Sequence, residues 1–126
     1  MVTRDGLTSI FELREEYMRS LVEHFPGCYP EWPIDISSKS NQKLVRDITL
    51  RGVEEMFEAI FLLKNHKDHR ATELPELDLK EFLEEYVDAL NYFLSVLVLI
   101  GVDEADLMRA YEAKHAKILQ RLKDGY

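Results

Sequence analysis

The stretch from Tyr86 to Ile100 constrains this chain more than any other. It is almost wholly apolar, spans about four helical turns, and is interrupted by Asp88, Asn91 and Ser95. A helix apolar on nearly every side is expected to be buried nearly all round. Its polar residues are not scattered. Glu81, Glu85, Asp88, Asn91 or Tyr92, and Ser95 follow three- and four-residue steps and so form one stripe. Acids on a buried stripe repel one another and lose hydration, and such charge must be paired or neutralised by a proton.

An earlier segment repeats the pattern. Glu54, Glu55 and Glu58 stand among Val53, Met56, Phe57, Ile60 and Phe61, and Glu55 and Glu58 are three apart, as are Glu85 and Asp88. Two helices carrying such pairs predict four carboxylates around one internal pocket. A hard divalent cation is the economical compensation, because oxygen-only ligands suit Mg²⁺, with Mn²⁺ as its substitute. No Cys/His cluster with zinc spacing competes. The plain alternative is that these acids are solvated or paired, with Arg51 reaching Glu54 or Glu55. That alternative leaves Asp88 unexplained. A di-iron bundle would need Glu-x-x-His from two helices; Glu112 and His115 offer one, and neither His66 nor His69 completes a second.

The remaining pattern is helical throughout. A first helix is expected from Thr8–Ser9, with Ser9 and Glu12 as a capping box and Ile10, Leu13, Tyr17 and Leu21 on one face, ending before Pro26. The segment 25–39 holds Pro26, Gly27, Pro30 and Pro33 and is a loop. Trp32 is expected to anchor it, and Trp32 or Tyr29 is a candidate for stacking on a base. The second helix is expected from Asn41 to Lys67, with Gly52 as a mild cost inside it. The third should open at Asp78 with Glu81 and stop at Gly101. The fourth is capped by Asp103, carries Leu107, Tyr111, Ile118 and Leu122, and ends near Lys123. The expected fold is a single all-α domain over 1–126, a bundle of four to five helices.

Composition narrows the function classes. A net charge of −8 argues against a nucleic-acid surface. Cys28 is the single cysteine, which fits a reducing compartment. The sequence MVTRDGLTSIFELREE shows no apolar core of signal-peptide length, and the run 86–100 falls short of the ~20 apolar residues of a spanning helix. A cytoplasmic protein with no membrane partner is expected.

The paired motifs VEEMFEA and LEEYVDAL resemble the EExxE…ExxD signature of the all-α nucleoside triphosphate pyrophosphohydrolases, the group that includes MazG and the dimeric dUTPases. The C-terminal DLMRAYEAKHAKILQRLKDGY is similar to the tail of the dimeric dUTPase and phage dCTPase-dUTPase branch, through Tyr111, Lys114, Arg121, Gly125 and Tyr126. LKNHK, with Lys64 and Lys67, is similar to that branch's K-x-W-K element. The likeness runs from about Val45 onward.

The resemblance implies Mg²⁺-dependent hydrolysis of a (deoxy)nucleoside triphosphate to monophosphate and pyrophosphate, as in control of the nucleotide pool, by a homodimer. Glu55, Glu58, Glu85 and Asp88 would hold the metal. Glu54 or Glu55 would serve the attacking water. Lys64, Lys67, Asn91, Lys114, Arg121 and Tyr126 would contact substrate. Asn91 replaces the usual His of that branch, His115, Ile118 and Leu122 replace polar residues of its tail, and FELREEYMR lacks its uracil-reading Gln and Asn. The base therefore stays open between uracil, cytosine and purine, with a broad MazG-like specificity or a non-catalytic metal- or nucleotide-binding module as alternatives.

Overall fold

The structure is a computed structural model that describes residues 5–63, 67–71 and 73–125. It is all-α: four helices, α1 (Gly6–His24), α2 (Lys39–Phe61), α3 (Leu79–Leu99) and α4 (Glu104–Lys123), with no strand among the described residues. No single helix among them is long and apolar enough to cross a membrane.

The helix ends follow local chemistry. α1 begins one turn earlier than the Ser9–Glu12 pattern predicts, because Asp5 is the better acceptor. Its carboxylate takes the backbone N–H of Thr8 at 2.9 Å and the Thr8 hydroxyl at 2.7 Å. α2 starts at Lys39 under a Ser38 cap that accepts from the Asn41 N–H. It stops at Phe61, short of the expected Lys67, where Leu62 and Leu63 donate to carbonyls three residues back and tighten the last turn. Asp78 opens α3, accepting from the Glu81 N–H at 3.2 Å. The far end of α3 closes with the Gly101 N–H on Val98 O and the Val102 N–H on Leu97 O. That pair of bonds needs a left-handed residue, and Gly101 supplies it with φ +81°. Asp103 and Asp106 form a reciprocal capping box on α4.

The chain forms two compact units, residues 1–34 with 97–126, and residues 35–96. In the first, α1 and α4 touch, and Phe11, Met18, Val98 and Leu99 are buried. The loop before α2 is tied to the end of α3 by the Ile34 N–H on Leu99 O, 2.8 Å. Trp32, half-buried and followed by a cis peptide bond to Pro33, meets the edge of Tyr29, lies under the Arg19 guanidinium at 4.6 Å, and donates to Glu15. It ties the loop to α1 through polar and π contacts.

The second unit buries Ile48, Ala59, Ala89, Leu94 and Ser95. Gly52 is central to it. A Cβ there would lie 2.5 Å from the Phe93 ring, so glycine permits the close approach of α2 and α3. The expectation that α3 is buried nearly all round does not hold for its first half: Tyr86, Val87 and Leu90 are 44–50% exposed. Among its described residues this unit holds α2 and most of α3, and within it α2 covers one face of α3. Of the residues expected in core or interface, Leu94 and Val98 are core, and Leu97 and Ile100 are half-buried.

Candidate metal centre

The close approach at Gly52 and Phe93 brings the acid-bearing turns of α2 and α3 together. Carboxylate oxygens of Glu55, Glu58 and Glu85 all lie within 4.8 Å of one another. Glu55 and Glu85 are half-buried and Glu58 is exposed. The three-residue spacing puts Glu55 and Glu58 on one side of α2, and Glu85 meets them from α3.

Like charges at this separation disfavour the ionised form of a carboxyl. Burial pushes the Glu55 carboxyl above its ordinary value, helped by the negative charges of Glu58 and Asp88, a hydrogen bond with Glu58, and the charge of Glu54. Burial likewise pushes Glu85 up, followed by its hydrogen bond with Glu58 and the charges of Glu58, Asp88 and Glu55. One oxygen of Glu85, Oε2, is buried with no hydrogen-bond partner. No Lys or Arg among the described residues forms an ion pair with these three acids. Arg51 in particular pairs with neither Glu54 nor Glu55, so ion pairing with that base does not account for the second helix.

Three carboxylates that converge in this way, one of them with a buried and unpartnered oxygen, could hold a hard divalent cation. The three oxygens fit such an ion by type and by mutual distance. The expected fourth ligand stands apart. Asp88 is exposed and outside the three-carboxylate cluster, near enough to raise Glu55 and Glu85 through its charge. Asp88 shares the three-residue spacing with Glu85, but only Glu85 brings an oxygen within 4.8 Å of Glu55 and Glu58, and Asp88 is exposed. Asp88 lines an open groove along α3 with Lys80, Leu83, Glu84, Glu85 and Val87. Lys80, which the motif reading does not name, lines the same groove.

The other expected site residues lie on several elements. Glu54 is exposed on α2 beside Glu55, Asn91 is half-buried on α3, and Lys67 is exposed after α2. Lys114 and Arg121 are exposed on α4, in the first unit. Lys64 and Tyr126 lie outside the described residues, as does His66. Comparison with protein-family models, with curated proteins and with solved structures finds no match for this chain.

Proposed function

We propose that this protein is a Mg²⁺-dependent hydrolase that splits a (deoxy)nucleoside triphosphate into the monophosphate and pyrophosphate. The observation that carries the reading is the cluster of Glu55, Glu58 and Glu85 within 4.8 Å, with Glu85 Oε2 buried and unpartnered. The paired acidic motifs and their resemblance to the all-α pyrophosphohydrolases support the same reading. Glu55, Glu58 and Glu85 would hold the cation, with Asp88 adding negative charge from the groove. A divalent ion held there would neutralise phosphate charge and acidify water. Glu54 or Glu55 accepts the proton of the attacking water. Lys80 and Lys67 supply positive charge for the phosphates on this unit.

The test has two arms. Pyrophosphate release is measured for each common dNTP and for dUTP, with Mg²⁺ and with EDTA. Release that needs Mg²⁺ and is lost in Glu58→Gln supports the reading, and the preferred substrate names the base. In the second arm, calorimetric titration of the metal-free protein with Mn²⁺ is compared between the native chain and Glu85→Gln. Saturable Mn²⁺ binding without turnover of any nucleotide would leave a metal-binding module and sink the hydrolase. Absence of binding would sink the metal centre itself.

A further inference from the structure

The fourth helix is long, regular and uncovered. α4 runs for 20 residues, has no buried residue, and every position from Met108 to Gly125 is exposed. A free helix of this length is marginal in water, and helices in proteins draw their stability mostly from packing an apolar face. α4 has such a face. Met108, Tyr111, His115, Ile118 and Leu122 follow alternating three- and four-residue steps, the a/d spacing of a helix-pairing seam. Met108 is 45%, Tyr111 69%, Ile118 43% and Leu122 66% exposed, with Leu119 beside them at 46%. α1 touches α4, yet burial on α4 fades after its first turn, where Glu104, Asp106 and Leu107 are half-covered.

The charges say which partner fits. Residues 104–112 carry Glu104, Asp106 and Glu112 against Arg109 alone, whereas residues 114–123 carry Lys114, Lys117, Arg121 and Lys123 with no acid. The helix is therefore acidic at one end and basic at the other, with the apolar seam running through both. A second copy of the same helix, laid antiparallel, sets the acidic half of each against the basic half of the other and covers both seams at once. A two-fold axis near His115 generates this arrangement, and an isologous contact of this kind closes at two copies. Parallel pairing would set like charges side by side along the whole length. We propose that α4 is a self-association surface, through which two copies of this chain pair as an antiparallel helix seam.

The proposal stands apart from the metal centre, which lies in the other unit, so either can fail alone. Its test is the solution mass by light scattering and sedimentation, with helicity followed by circular dichroism. The native chain is expected at twice the 14.8 kDa of one copy. Ile118→Glu with Leu122→Glu should give the single-chain mass at native helicity in α1–α3. Reversing charge outside the seam, with Lys117→Glu and Lys123→Glu, should weaken pairing at least about tenfold while leaving the fold intact. In a Cys28→Ser background, a cysteine introduced at His115 should cross-link two copies, and one at Met108 should not. A native chain of single-copy mass overturns the proposal, as does a dimer indifferent to both double variants. Ready cross-linking through a cysteine at position 108 overturns the antiparallel register.

Discussion

Two acidic clusters in this molecule meet opposite fates. At the start of α4, Asp103 and Asp106 accept each other's backbone N–H groups, at 2.8 and 3.2 Å, and Asp106 also pairs with Arg109. Those donors hold the Asp106 carboxyl below its ordinary value, the backbone of Asp103 foremost. Between α2 and α3, Glu55, Glu58 and Glu85 converge with no cation or backbone donor among the described residues, and Glu55 and Glu85 are pushed up. The residue chemistry is the same. Helix termini present orphan N–H groups that welcome an anion, whereas the middle of a helix has spent its N–H groups on its own carbonyls. Acids gathered mid-helix must find their compensation elsewhere, and that separates a structural cluster from a candidate metal centre.

The comparison breaks most visibly on turnover. Glu58→Gln or Glu85→Gln should lower Mg²⁺-dependent pyrophosphate release by more than about 100-fold, since loss of mere outer-shell support already costs about 10–100-fold. Thermal unfolding of the metal-free variants should occur at or above the native midpoint, because a mutually repelling charge is removed. Unfolding far below it would mean that the cluster holds the fold together as the α4 cap does.

Next in size is the approach that creates the cluster. Gly52→Ala should destabilise by roughly 1–3 kcal/mol in denaturant unfolding, because the Phe93 ring must move. Helix propensity alone predicts the reverse sign, with alanine better by about 1 kcal/mol. A second change, Phe93→Leu, should recover part of the loss. Stabilisation by the alanine would show that α2 and α3 do not meet closely there.

On the satisfied side, Asp103→Ala removes an N-cap and should cost about 1 kcal/mol, with pyrophosphate release per folded molecule unchanged. The smallest effect is a pH signature. Asp106 has a depressed folded value, so its stabilising contribution is full above the ordinary aspartate value of 3.8 and is lost as pH falls through the lower folded value. The stability difference between the native chain and Asp106→Asn should therefore be constant near neutrality and shrink in acid. Glu85 carries the opposite sign: its charge penalty is absent below 4.5 and grows as pH rises through its raised folded value. A difference for Asp106→Asn that instead widens in acid would contradict the satisfied cap.

Much of the architecture is legible in the chain by itself. Three-and-four periodicity marks all four helices, and Asp78, Gly101 and Asp103 mark their ends, because caps and left-handed stops are decided within a turn of sequence. The acidic pairs on α2 and α3 are legible for the same reason, since spacing along one helix dictates which side chains share a face. The start of α1 is less so: the sequence pattern places the cap at Ser9, whereas Asp5 caps the helix, its carboxylate holding both the N–H and the hydroxyl of Thr8.

What only the tertiary structure decided is which acids meet. Spacing treats Glu85 and Asp88 as equals, and both line the groove along α3, yet only Glu85 joins Glu55 and Glu58. Periodicity along a helix says nothing of the rotation at which another helix faces it. Here that rotation goes with a close contact between two residues far apart in sequence, Gly52 and the Phe93 ring. Apolarity likewise announced that α3 prefers burial, but the extent of burial depends on how many neighbours pack around it. The residues themselves determine what each face of a helix wants; the packing determines which face obtains it.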